Sequence, residues 1–282
     1  MKILTFIPAY KRRAITALCY GALRRAIQQA PEWLDIQVLC VVSNEPDKRL
    51  AIEMGFDAYM AANKPLGRKF NAGLEYAFQT YSFDYLFQMN SDNILHLNFW
   101  KRFEPFLKQE RPFFGCNHIG IYDSETGRLF KYLYGTGCGI RFIRIDILHG
   151  AAYQVLVDNP QAEVGTGFTI HQGKVWIPQG RYRARYGQPI GTRFQLWTLE
   201  KNRGLDFDSE KQIRFAFSGP EYRQRFPINE SREPLIVDIK SAENIHPISE
   251  FEADDMAQEV TGAERERILD CFPEIKAAYE TV

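Results

Sequence analysis

Short apolar runs alternate with longer stretches of helical periodicity through the amino-terminal third of this chain. Lys2 to Ala9 (KILTFIPA) is an apolar run ended by a proline, as in a strand buried on both faces of a parallel sheet. From Arg13 to Ala30, Ile15, Leu18, Cys19, Ala22, Ala26 and Ile27 recur at helical spacing until Pro31 stops the pattern. Ile36 to Val42 reads as the next strand, Asp47 to Met54 as a short helix, and Phe56 to Ala62 as a short strand. Gly67 to Tyr81 is a helix carrying Ala72, Leu74, Ala77 and Phe78, Tyr85 to Met89 is a strand, and a helix lies near Asn98 to Gln109. This order predicts βαβ units and a mostly parallel sheet, whose ligands sit at the carboxyl ends of the strands. The loops that matter are then Pro8 to Arg13, Ser43 to Asp47 and Asn90 to Leu95.

Beyond this the texture changes. Pro112 to Tyr122, Leu129 to Tyr134 and Gly139 to Ile145 read as strands, and Val164 to Thr192, with six glycines and the tracts FTIH and KVWI around Gln172-Gly173, as a β-hairpin excursion. Phe207 to Phe217 and Thr261 to Tyr279 look helical, and Leu235 to Ile239 is a short strand. The expected organisation is one catalytic domain with a tail, in three parts: a core over 1–150, strands and the hairpin over 151–203, and a segment with a helical tail over 204–282. At 282 residues, 45% hydrophobic and 25% charged, the composition excludes disorder, collagen and coiled coil.

Basic and acidic side chains both number 35, so there is no overall cationic footprint for nucleic acid. They are unevenly spread: 19 basic and 16 acidic over 1–173, 7 and 1 over 174–203, 9 and 18 over 204–282. A short cationic segment before an acidic tail is either an anion-facing surface or a solvated arginine-rich loop. The five cysteines are odd in number and widely separated, as expected of reduced thiols in a cytoplasmic protein. Cys116, His118 and Cys138 fit no compact zinc spacing. The first apolar run is too short for a signal sequence or a bilayer span, and no membrane insertion is expected.

Three constellations carry chemistry. Asn90-Ser91-Asp92-Asn93 follows the strand YLFQM, and a carboxylate there can hold Mg²⁺ or Mn²⁺ against a diphosphate. The alternative is an Asx-rich turn capping the helix near Asn98. Leu66 to Leu74 (LGRKFNAGL) opens a helix with Gly67 beside Arg68 and Lys69, suited to phosphate oxygens or simply a solvated first turn. The loop Ile7 to Arg13 offers Tyr10 to stack on a base and three cations for phosphates.

In this order the three segments, ILTFIPAYKR, LGRKFNAGL and FQMNSDNIL, resemble the GT-A glycosyltransferases of the family 2-like group. Tyr134 to Arg141 with Arg144 to Leu148 resembles that group's glycine-rich acceptor-side strand, including Gly137. Asn202 to Asp206, and Asp238 to Ser241 with Asn244 to His246, look like later segments of a soluble branch. The resemblance implies a GT-A α/β fold: a Rossmann-like half with a mostly parallel sheet, a mixed-strand acceptor half and a helical C-terminal tail. It implies that Pro8, Tyr10, Arg12, Ser43, Asn44 and Glu45 line the nucleotide pocket, and that Gly67, Lys69, Asn71 and Ser91 face the diphosphate or sugar. Asp92 would hold Mn²⁺ or Mg²⁺, His246 or Lys240 would reach the metal-bound diphosphate, and Asp206 would take the acceptor proton. The expected reaction is transfer from a nucleotide-diphosphate sugar, a UDP-sugar first, with inversion if Asp206 lies opposite the leaving group. Asn90 and Asn93 stand where many relatives carry acids, and Lys11 where Asn is usual, so an ion held by one carboxylate would load with the nucleotide.

Between these segments, GKVWIPQGRYRARYGQPIGTRF sets Trp176 among Arg181, Arg183 and Arg185, which strand alternation would place on one face. Such a ribbon suits a phosphate backbone with stacked bases, so a hydroxymethylated pyrimidine in DNA is one expected acceptor and a glycan the other. A lid closing on the donor, or an edge ribbon kept soluble by charge, explains the same residues. A nucleotidyltransferase, or a non-catalytic nucleotide- or polyanion-binding protein on the same scaffold, is the competing function. The first loop has no glycine of the kind a nucleotidyltransferase phosphate loop uses.

Overall fold

A computed structural model of the chain describes residues 1–63, 66–110, 113–116, 118–133, 140–144, 169–171, 174–176, 233–242 and 248–280. The parallel core is built as the apolar runs require. β1 (Lys2–Pro8) pairs in parallel with β2 (Asp35–Val42) and β4 (Tyr85–Gln88), and β2 pairs in parallel with β3 (Asp57–Met60). Strand alternation sends Ile3 and Ile7 to one face, where α1 (Arg13–Gln28) packs, and Leu4 and Phe6 to the other, with Leu74 and Ala77 of α3 (Leu66–Thr80). α2 (Glu45–Glu53) joins β2 to β3.

Past β4 the chain leaves this sheet. β5 (Asn93–Leu95) belongs to a second sheet, and α4 (Phe99–Lys108) follows it. The single strand expected over Pro112 to Tyr122 is two: β6 (Phe113–Cys116) in the first sheet and β7 (His118–Asp123) in the second. β8 (Leu129–Leu133) pairs with β7, and β9 (Ile140–Arg144) returns antiparallel between β4 and β6. In the β4-β9-β6 register Phe142 lies between Phe87 and Phe114, with ring centroids at 4.5 and 4.7 Å. Phe99, Trp100 and Phe103 of α4 contact these rings, so helix and three strands share one aromatic core.

The first sheet runs β3-β2-β1-β4-β9-β6 and the second β13-β8-β7-β12-β5, with β12 (Ile236–Lys240) and β13 (Ala257–Val260). β10 (Thr169–His171) and β11 (Lys174–Trp176) form the expected hairpin. α5 (Ile248–Glu252), α6 (Gly262–Leu269) and α7 (Pro273–Tyr279) make the C-terminal helical part. The helix expected over Thr261 to Tyr279 is broken before Pro273, whose ring cannot sit inside a helix but suits the first turn of a new one. The mostly parallel half, the mixed half and the helical tail of the expected GT-A fold are all present. No helix among the described residues is long and apolar enough to cross a membrane. The helix expected over Phe207 to Phe217 lies outside the described residues.

Candidate functional site

The turn between β4 and β5 is the joint where the chain passes from one sheet to the other, and Asp92 sits on it. Asn93 Oδ1 accepts the Asn90 N–H at 2.8 Å, and the Asn93 N–H reaches the Asn90 carbonyl at 3.3 Å. This is an Asx-stabilised turn, as one alternative held, but it does not cap α4, whose N-cap Asn98 makes no side-chain cap bond. Ser91 and Asp92 are both buried.

The first loop closes onto this turn. Lys11 and Arg12 both have positive φ, 58° and 49°, which costs a non-glycine residue about 1–2 kcal/mol each. Three contacts hold the bend. The Lys11 N–H donates to Asp47 Oδ2 at 2.8 Å, the Arg12 carbonyl accepts the Thr16 N–H at 2.9 Å, and Arg12 Nη1 donates to Asp92 Oδ2 at 2.8 Å. Tyr10 is 38% exposed, with the ammonium groups of Lys11 and Lys69 at 5.3 and 5.8 Å from its ring centroid. Pro8 ends β1 opposite Val41.

The second loop divides its roles. Asn44 caps α2, accepting the Asp47 N–H at 2.8 Å, and its amide donates to Asp47 Oδ2 at 2.7 Å. Glu45 points outward, its side chain 66% exposed and 3.8 Å from Lys48. Ser43 Oγ is buried and has no hydrogen-bond partner among the described residues. Asp47, not singled out from sequence, is buried and ties this loop to the first. A buried aspartate in the first turn of an amphipathic helix was the available signal.

Lys69 departs from expectation. Its ammonium donates to the Ala9 carbonyl at 2.6 Å and to Asn63 Oδ1 at 3.3 Å, and the residue is 1% exposed. It therefore braces the first loop from beneath. Burial holds its pKa down to about 8, with Asp47 acting in the opposite sense. Gly67 and Asn71 lie on α3 and Trp176 on β11, described in backbone only. Gly137, Arg181, Arg183, Arg185, Asp206 and His246 lie outside the described residues.

β12 carries Asp238, which sequence reasoning left without a role, and Lys240, which was expected to reach the metal-bound diphosphate but is buried against Asp238 instead. Asp238 stands opposite Asn93 in the antiparallel β12–β5 register, and Asn93 Nδ2 donates to Asp238 Oδ1 at 3.1 Å. Lys240 Nζ donates to Asp238 Oδ2 at 2.8 Å, and all three side chains are buried. Burial and then the Asp92 charge push Asp238 up to about 7, against the pull of Lys240. Burial would raise Asp92 as well, but Lys240 and Arg12 together hold it below the ordinary carboxylate value. The signal was in the sequence: Asp238 and Lys240, two apart on an apolar strand, must share a face.

The donor set decides whether a divalent cation fits. Carboxyl oxygens are the hard ligands Mg²⁺ and Mn²⁺ take, and such sites often use one or two carboxylates with substrate phosphates and water completing the shell. Among the described residues no three His, Cys, Asp or Glu stand together as a metal cage. The residues thus fit an ion that arrives with most of its ligands. Arg12 is the charge it must displace: a divalent ion about 4 Å from a unit positive charge is opposed by roughly 8 kcal/mol at an effective dielectric of about 20.

No family model matches this sequence, and no curated protein matches it. Solved structures do. Mannosyl-3-phosphoglycerate synthase from Rubrobacter xylanophilus superposes with a TM-score of 0.38 at 12% identity, covering 58% of this chain and 63% of that one. Glucosyl-3-phosphoglycerate synthase from Mycobacterium tuberculosis, solved with Mn²⁺, UDP and glucosyl-3-phosphoglycerate, gives 0.37 at 14% identity, covering 53% and 59%. Residues 1–349 of TarS from S. aureus, solved with UDP-GlcNAc, give 0.41 at 14% identity, covering 100% and 74%. The chain spans less than two thirds of the length of either synthase.

Proposed function

We propose that this chain is a glycosyltransferase of the GT-A, family 2-like kind, moving a sugar from a nucleotide-diphosphate sugar, a UDP-sugar first, to a hydroxyl acceptor. One observation carries this reading: five separate segments are tied together at the carboxyl end of the parallel sheet by Lys11–Asp47, Lys69–Ala9, Arg12–Asp92 and Asn93–Asp238 contacts. Ligands of open α/β sheets bind at that end.

Tyr10 offers the base an exposed ring, and Ser43 Oγ a buried polar atom with hydrogen-bonding capacity to spare among the described residues. Arg12, in a strained turn held by Asp47, would turn its guanidinium from Asp92 to the diphosphate when the ion binds, placing a cation where charge develops. Asp92, with His246 by resemblance, would hold a divalent ion, which when bound stabilises negative charge on the departing diphosphate. Asp206 is proposed as the base. As the acceptor oxygen bonds to the anomeric carbon, the bond from that carbon to the diphosphate oxygen breaks, the acceptor proton passes to Asp206, and the nucleoside diphosphate leaves. Attack opposite the leaving group gives inversion. The β10–β11 hairpin with Trp176, and Arg181, Arg183 and Arg185 beyond it, is the proposed acceptor contact, for hydroxymethylated pyrimidine DNA or a glycan.

The test is thermal shift of the purified protein against nucleoside diphosphates and nucleotide sugars with Mn²⁺, with and without hydroxymethylcytosine DNA, followed by sugar release from whichever donor binds. A ligand that binds only the folded state raises the melting temperature. A UDP or UDP-sugar shift with turnover supports the proposal. A shift without turnover points to a binding protein on this scaffold, and no shift with any nucleotide refutes the reading.

A further inference from the structure

Two contacts run from β12 to the turn that carries Asp92. Asp238 Oδ1 accepts the Asn93 amide at 3.1 Å, and the Ile239 N–H donates to the Asp92 carbonyl at 3.0 Å. Asn93 is the pivot, since its other amide atom, Oδ1, accepts the Asn90 N–H and so closes the turn. β12 therefore grips this turn at its backbone and at its pivot.

Stability does not call for such a device. Asp238 and Lys240 are 5% exposed each, on a strand whose other residues, Ile236, Val237 and Ile239, are buried apolar groups. Apolar residues of similar volume at two such positions would hold the sheet as well or better, because a buried ion pair must offset the desolvation of both charges. What apolar residues cannot do is fix the orientation of a neighbouring amide.

We infer that Asp238 is a positioning residue for the donor site, orienting the turn of Asp92 through Asn93, with Lys240 as the counter-charge that lets Asp238 be buried. This rests on the glycosyltransferase reading. The contacts that orient a ligating or phosphate-facing group commonly change affinity or activity by about 10–100-fold when removed.

The experiment separates positioning from folding. Asp238→Asn alone strands the Lys240 ammonium, so the informative variant is Asp238→Asn with Lys240→Met, in which Asn keeps an acceptor for the Asn93 amide. Urea unfolding reports the fold, and calorimetric titration with UDP is run with Mn²⁺ and again with EDTA. The expected result is a variant as stable as wild type, with Mn²⁺-dependent UDP affinity at least about tenfold weaker and affinity in EDTA unchanged. Asn93→Ala, which leaves the Asp238–Lys240 pair intact, is expected to show the same selective loss and serves if the double variant does not fold. Unchanged Mn²⁺-dependent affinity in either folded variant overturns the inference while leaving the glycosyltransferase reading standing. Wild-type protein that binds neither UDP nor any other nucleoside diphosphate in either buffer overturns both.

Discussion

Gly73→Ala probes how closely α3 approaches the sheet. A β-carbon on Gly73 would lie 2.5 Å from Val41 Cγ2 and 2.9 Å from both Cε2 and Cζ of Phe6. Carbon atoms rest at about 3.5–4.0 Å, so the helix must lift by about 1 Å or the side chains must yield. Val41 and Phe6 are 0% exposed, and a β-branched valine has little rotamer freedom, so lifting is the easier response. Alanine gains about 1 kcal/mol of helix propensity over glycine, and overpacking costs about 1–3 kcal/mol. A shortfall this large belongs at the upper end, giving a net loss of about 2 kcal/mol. Val41→Ala alone should cost about 2 kcal/mol through lost burial, but it removes the nearest obstructing methyl. The double variant should therefore be less destabilised than the sum by about 1 kcal/mol, the contact with Phe6 keeping the recovery partial. Urea denaturation measures all three. A neutral Gly73→Ala, or strict additivity, refutes the argument. Because α3 also carries Lys69, which braces the Ala9 carbonyl at 2.6 Å, the lifted helix should weaken UDP binding as well.

Lys69 has a folded pKa of about 8 against an ordinary 10.5, so between those values the unfolded chain binds more protons and stability rises with pH. Relative to Lys69→Met, wild type should gain up to about 3 kcal/mol across that interval, read from urea midpoints at stepped pH; a constant difference would contradict the buried ammonium. Asp47→Ala removes the acceptor for both the Lys11 N–H and the Asn44 amide, and should cost about 2–3 kcal/mol, with Asp47→Asn losing roughly half as much in the same assay. Arg12→Met should tighten Mn²⁺ binding to nucleotide-free protein, measured by water-proton relaxation, because the ion no longer has to displace the guanidinium from Asp92. Unchanged or weaker Mn²⁺ binding would count against exchange at that carboxylate.

The parallel core was legible because its strands are buried on both faces. A run such as Ile3 to Ile7 can be nothing else when a helical period follows it, and the three polar loops at the strand ends follow from that topology. Continuous apolar texture also hid the division at Cys116 and His118, since a strand in one sheet and a strand in the next look alike when both are buried. The short β5 was invisible for a related reason: three residues carry no period, and Asn93–Leu95 is a strand only because β12 lies beside it.

The site shows the same limit. Asp92 and Arg12 were identifiable as chemistry-bearing residues, and Asp238 and Lys240 as a charged pair on one strand face, but nothing local couples residues 146 positions apart. Residue type and spacing determined which groups could do chemistry and which elements would carry them. Only tertiary packing decided that Lys69 braces a backbone carbonyl, that Asp47 holds a strained turn, and that Asp238 grips the turn of Asp92. The physical reason is that burial and long-range register, not sequence neighbours, choose the partners of a polar group that has left water.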